Sequence, residues 1–432
     1  MHLAVALDGA GWHPAAWREP RARPAELLTA RYWADAVAEA ERGLLDFVTI
    51  EDGLSLQSSR YDEPDGRTDQ VRGRLDAVLI AARVAPVTRH IGLVPTVIVT
   101  HTEPFHASKA IATLDYVSGG RAGVRIRVSA SPHEARHFGR REFPPLDLRK
   151  RDDPAVQELV AGLFGEAAGY VEVMRRLWDS WEDDAEIRDA ATGRFIDRGK
   201  LHYIDFAGAY FSVKGPSITP RPPQGQPVVS ALGHAAASCQ LIAQAADVGY
   251  VTPRDADHAR AIVTEIRAAQ VAAGRAQDTI HVLADLVVFL GELEQTASSR
   301  KDRLDELAGE PYASDAAVFT GTAGQLADLM QQWQQTGLTG FRLRPGAIPG
   351  DLEAISRALV PELQRRGAFR SAYEPGSLRG RLGLPRPANR YTAQENGLVA
   401  VRNRKHADQG AKSIAVFLAE IRALIDSKAV SE

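Results

Sequence analysis

Eight short apolar runs, separated for the most part by segments of helical periodicity, do most to narrow what this chain can fold into. They cover residues 3–7, 47–50, 91–100, 122–129, 227–232, 248–252, 280–290 and 340–343. The intervening helix-like stretches cover 25–42, 75–84, 105–117, 164–181, 235–246, 256–273 and 323–336, with a last one at 351–366. In the first, Leu28, Tyr32, Ala36 and Ala40 form one stripe. Asp351 sits where an N-cap for the last would stand. Strands alternating with helices predict an α/β fold with a parallel sheet. A count of eight favours a closed (β/α)8 TIM-like barrel over an open sheet.

Some segments exceed a minimal barrel. Residues 130–163 and 182–226 are rich in Pro, Gly and charge and read as insertions after the fourth strand and its helix. The first would sit at the mouth where barrel enzymes place their sites. We expect residues 1–367 to form the barrel and 368–432 a C-terminal extension. That extension reads as a turn-rich wrap followed by a helix at 411–427, with Ile414, Phe417, Leu418, Ile421 and Leu424 on one face.

The bulk numbers exclude several classes. The chain has 432 residues, 44% hydrophobic and 25% charged, with a formal net charge of −3. No block of like charge suggests a nucleic-acid surface, and no apolar run is long enough to span a membrane. The N-terminus lacks the basic and apolar regions of a signal peptide. Cys239 is the single cysteine, which rules out an intrachain disulfide and fits a cytoplasmic setting.

Several blocks, in order along the chain, carry a resemblance. They include His13-Pro14-Ala15-Ala16-Trp17-Arg18, Ile50-Glu51-Asp52-Gly53, Glu103-Pro104-Phe105-His106 and Leu114-Asp115-Tyr116-Val117-Ser118-Gly119-Gly120-Arg121. Further along come Glu134-Ala135-Arg136-His137-Phe138-Gly139, Leu177-Trp178-Asp179-Ser180-Trp181, Pro220-Arg221-Pro222-Pro223 and Phe319-Thr320-Gly321-Thr322. Together they resemble the bacterial luciferase-like flavin-dependent monooxygenases, in the nitrilotriacetate monooxygenase component A-like subgroup. The resemblance covers roughly residues 1–390. It implies a dimeric barrel that binds reduced FMN, supplied by a separate flavin reductase, and uses O2 to oxidise a small-molecule substrate. Oxygen activated on a flavin is destroyed by water, and long loops over a barrel mouth would exclude it.

The resemblance also nominates residues. Asp52 would lie near the flavin ring, or else would make a turn or cap a helix. Thr96 would contact flavin, or else fill the barrel core. At the fourth strand the family carries an Asn near the flavin, whereas this chain has Gly123-Val124-Arg125-Ile126-Arg127. A buried Arg125 demands an anionic partner. That partner would be a flavin edge, a phosphate, an acidic substrate, or Glu51 or Asp285 in a structural ion pair.

The family's phosphate contacts are altered. Its His and Tyr fall on Leu146 and Lys150 when counted forward, or on Val160 and Phe164 when counted back. Its phosphate-binding serine falls on Ala235, beside His234. A helix N-terminus there would still bind phosphate through backbone N–H groups, and Arg149, Lys150 or Arg151 would supply charge. The other reading of that run is a solvated surface.

His101, His106 and His13 are candidates for acid–base work, against the plainer reading that each bonds loop backbone. His133-Glu134-Ala135-Arg136-His137 has the HExxH spacing of zinc proteases. We expect no metal there, because the segment follows a strand directly and no third ligand is evident. Two rival functions remain at this stage. One is a deazaflavin-dependent hydride-transfer oxidoreductase, which the basic run 149–151 would suit. The other is a flavin-free barrel acting as a binding or partner subunit.

Overall fold

Strands buried on both faces read as unbroken apolar runs, and closing them into a ring leaves no edge. The computed structural model describes residues 1–60, 63–144, 153–395, 398–402 and 408–426. It places a strand on each of the eight runs: β1 (His2–Leu7), β2 (Phe47–Ile50), β3 (Gly92–Ile98), β4 (Gly123–Arg127), β5 (Val228–Gly233), β6 (Val248–Val251), β7 (His281–Leu290) and β8 (Gly340–Pro345). All neighbours pair in parallel, and β8 returns to β1 with Gly340 opposite His2 and Leu343 opposite Val5. The chain is thus an α/β protein with a closed eight-stranded TIM-like barrel.

A further strand, Ala317–Gly321, pairs with Leu286–Leu290 outside the closed ring. Its residues are only partly buried until Gly321, although residues 316–319 are a short apolar run in the sequence.

Helices pack around the barrel: α1 (Ala30–Arg42), α2 (Ala77–Val84), α3 (Pro104–Ser118), α4 (Pro154–Asp179), α5 (Ala236–Ala245), α6 (Ala256–Ala272), α7 (Glu294–Ala308) and α8 (Ala323–Gln334). α1 starts where the Thr29 side chain accepts from the Tyr32 N–H, and it buries Tyr32, Trp33, Ala36, Val37 and Ala40. α4 begins at Pro154, ten residues before the periodicity at 164. Its N-cap Asp153 and Pro154 are ordinary start signals, and Val156, Leu159, Val160 and Leu163 extend the apolar stripe back through this first part. Two small hairpins lie between α4 and β5: Glu186–Asp189 with Arg194–Ile196, and Phe206–Ala207 with Ser212–Val213.

After β8 the chain is helical over residues 350–365, and the segment that follows closes the N-terminal end of the barrel. Leu378, Leu382 and Leu384 are buried with Phe47, Val94, Tyr250 and Leu283. A Cβ on Gly92 would lie 2.6 Å from Leu378 Cδ1, so β3 begins with the one residue that admits this plug. His281 Nε2 donates to the Leu382 carbonyl at 2.7 Å, and Tyr373 donates to the Leu45 carbonyl at 2.7 Å. Among the described residues, no helix is long and apolar enough to cross a membrane.

Candidate active site

The opposite, C-terminal end of the strands carries a cleft of about 660 Å³. Its walls are the turn after β1 (Asp8 to Trp17), the long connection after β2 (Gly53 to Arg74), the segment after β4 (Arg127, Ser131, His133, Glu134) and Glu310 to Ala313. A recess of about 300 Å³ shares Asp8, Gly9, Trp17 and Arg74 with it and reaches Glu51. Arg74 fixes the wall by donating to both oxygens of Asp8, at 3.0 and 2.5 Å.

Inside the barrel runs an unbroken series of charged contacts. Arg125 Nη1 donates to Glu51 Oε2 at 2.7 Å and to Thr96 Oγ1 at 3.2 Å. Glu51 Oε1 lies 3.6 Å from Arg342, and Arg342 and Arg344 each donate to Asp285 Oδ2 at 2.5 Å. Arg344 continues to Asp315 at 2.6 Å, and Asp315 lies 3.6 Å from His234. Arg342 also stacks over Tyr250 at 4.0 Å, and Arg344 over Trp12 at 4.4 Å. Burial works to raise the Glu51 and Asp285 carboxyls. The facing arginines outweigh it, so both pKa values are lowered. Two polar atoms of this network have no hydrogen-bond partner, Arg125 Nε and Glu51 Oε1.

Each residue nominated from the sequence has a definite place. Asp52 sits beside the cleft and accepts from the Gly53 and Ala77 N–H groups at 2.7 and 2.9 Å. It thereby ties the loop after β2 to the start of α2, while its own carbonyl accepts from Arg127 Nη1 at 2.6 Å. Burial raises the Asp52 carboxyl pKa against those two bonds. Thr96 is buried in the barrel beneath Arg125. Leu146 and Lys150, with Arg149 and Arg151, lie outside the described residues. Val160 and Phe164 are half-buried on α4.

Ala235 is the N-cap of α5 and offers no side-chain cap. The His234 and Ala235 N–H groups both donate to Ser238 Oγ, at 2.9 and 3.0 Å. The first-turn N–H groups beyond them have no intrahelical acceptor, as at any helix start. His234 is half-exposed, with Nδ1 3.3 Å from Thr252 Oγ1.

The three candidate histidines differ. His13 lines the cleft; its Nδ1 accepts from the Ala15 N–H at 3.1 Å, so its Nε2 donates to Asp305 at 3.0 Å. Burial lowers its pKa. His101 is buried and stacked on Phe138 with ring centroids 5.2 Å apart, and its Nε2 has no partner. Burial lowers its pKa too. His106 is exposed on α3 and does not line the cleft. His133 and His137 meet edge to face at 5.0 Å. Among the described residues, no three His, Cys, Asp or Glu side chains group as a metal site.

Sequence reasoning passed over Asp8, Arg74, Tyr312, Arg342 and Arg344. The last two carried a usable signal: charged residues two apart in an apolar strand, the pattern that singled out Arg125 and Arg127. The others come from loops, whose register no periodicity fixes.

A match to the family described as luciferase-like monooxygenase spans residues 12–336. The chain belongs to that family. Nitrilotriacetate monooxygenase component A from Aminobacter aminovorans is 30% identical over 455 positions, covering 90% of this chain and 97% of that one. N-acetyl-S-(2-succino)cysteine monooxygenase from Bacillus subtilis is 30% identical over 453 positions, with 90% and 98% coverage. Among solved structures, a long-chain alkane monooxygenase superposes with a TM-score of 0.77 at 23% identity, covering 89% of this chain and 95% of that one. EDTA monooxygenase from Chelativorans sp. BNC1 gives 0.74 at 24%, with 89% and 98% coverage. As a luciferase-like monooxygenase the protein is an oxidoreductase.

Proposed function

We propose that this luciferase-like protein is the oxygenase of a two-component system. It takes reduced FMN from a separate flavin reductase and uses O2 to oxidise a small organic substrate. The observation that carries this reading is a buried polar pair inside the barrel, of which Glu51 reaches the recess beside the cleft. Arg125 Nε is a buried donor without a partner, and Glu51 Oε1 is a buried acceptor without one. A flavin's pyrimidine edge carries both carbonyl acceptors and an N–H donor, so it complements this pair. Arg125, Glu51 and Thr96 would hold that edge, with Asp52 steadying the adjacent loop. The start of α5 at His234 and Ala235 would take the phosphate through backbone N–H groups.

Bound reduced FMN supplies the electrons for oxygen activation. The chain's own contribution is to bind, orient and exclude water. Trp12, Trp17 and Tyr312 wall the cleft with aromatic surface. His13, anchored at both ring nitrogens, holds the β1 turn against Asp305. We assign the chemistry to residues 1–367 and closure of the far barrel end to the extension after them. The reductase partnership follows the name component A carried by a relative. A homodimer in the cytoplasm belongs to the same proposal, and the unpaired buried Cys239 is consistent with a reducing compartment.

Anaerobic titration of the purified chain with FMN and with reduced FMN, followed by absorbance and fluorescence, tests the reading. Saturable binding, tighter for the reduced form, supports it. No binding of either form overturns it and turns attention to a deazaflavin or to a barrel without catalysis.

A further inference from the structure

Glu134 presents a buried carboxylate oxygen that has no hydrogen-bond partner among the described residues. It stands in the one-turn helix Pro132–Arg136, directly after β4, and is 3% exposed. One side of the group is fixed. Oε1 accepts from the Leu54 N–H at 3.1 Å and lies 3.7 Å from Arg127. The Glu134 N–H is itself held by Ser131 Oγ. Oε2 is buried without a hydrogen-bond partner, and Glu134 lines the 660 Å³ cleft. Leu54 and Ser131 therefore set where Oε2 sits, and they leave it open.

We propose that Glu134 is the substrate-facing acceptor of the cleft, so the substrate carries an N–H or O–H donor at that point. The inference rests on the reading of this cleft as the oxidation site. The physical argument is a comparison of substrates. A hydrocarbon or a sulfide seated against Glu134 would offer Oε2 no bond, leaving a buried carboxylate oxygen unpaired. A protonated amine, an amide N–H or a hydroxyl supplies the missing bond as a charge-assisted one. Gln57, Arg127 and His133 add further polar groups to the lining, beside its aromatic wall. Glu134 would thus be a specificity-determining residue.

Binding of two matched rings tests it. Morpholine carries an N–H donor where 1,4-oxathiane carries sulfur, and the two otherwise have the same skeleton. Ligand-observed NMR on the full chain should show morpholine binding about tenfold or more tighter, since sites built for a donor reject analogues lacking it. Glu134→Gln keeps an acceptor for Leu54 but turns the open oxygen into a donor, and should collapse the ratio to about twofold or less. Glu134→Asp keeps the charge, withdraws it by one methylene and should give an intermediate ratio. Equal binding, binding of neither ring, or a ratio that survives in Glu134→Gln overturns the proposal. An FMN titration on the same samples separates the two readings. If FMN does not bind while the ratio behaves as stated, the flavin reading falls and this one stands. If Glu134→Gln changes only FMN affinity, this proposal falls.

Discussion

Arg342 grips Asp285 with two hydrogen bonds, Nε to Oδ1 at 2.8 Å and Nη2 to Oδ2 at 2.5 Å, where neither side chain has any solvent exposure. Arg344, two residues along β8, shares the same carboxylate. One carboxylate therefore bridges two cations inside the barrel. Asp285→Asn should destabilise the protein by about 3–5 kcal/mol, because it strands buried charge. The urea midpoint measures this. Asp257→Asn, which breaks the exposed pair with Arg260, should leave the midpoint unchanged. Equal effects from the two substitutions would refute the barrel network as a source of stability.

The Glu51–Arg125 pair should show strong coupling. Glu51→Gln and Arg125→Met should each destabilise, and the double variant should lose less than their sum by about 1–3 kcal/mol. Both single variants should also weaken FMN binding in the titration above. Additive stability losses with unchanged FMN affinity would remove this pair from the proposed flavin site.

Ala235 offers a test with two readouts of opposite sign. Ala235→Asp supplies the side-chain cap that α5 lacks, and should add about 1 kcal/mol to stability. The same carboxylate would repel a phosphate at that helix start. FMN binding should fall about tenfold or more, while riboflavin, which has no phosphate, should bind as before. A parallel loss of both flavins would place the phosphate elsewhere.

His281 predicts a pH dependence at the other end of the barrel. Burial, with His2 close by, pushes its pKa down to about 4. A histidine depressed in the folded state contributes stability that is present above its unfolded pKa of about 6.5 and is lost as pH falls toward about 4. Melting temperature should fall across that window, and His281→Gln should flatten the fall. Gln can still donate to the Leu382 carbonyl that His281 now bonds. An unaltered pH profile in the variant would show that other groups carry the acid sensitivity.

The sequence by itself determined the barrel. Each of the eight strands lies on an apolar run, because a strand buried on both faces has no polar side to disguise it. Arg125 stood out for the converse reason, as a charge inside such a run, and only its partner was open. Tertiary structure chose Glu51, which follows β2 two strands away around the ring, over the other anions. The same holds for the wall of the cleft. Asp8, Arg74 and Glu134 are brought together by loops whose ends are set by the strands but whose paths are not, so their pairing depends on distances that no spacing along the chain encodes.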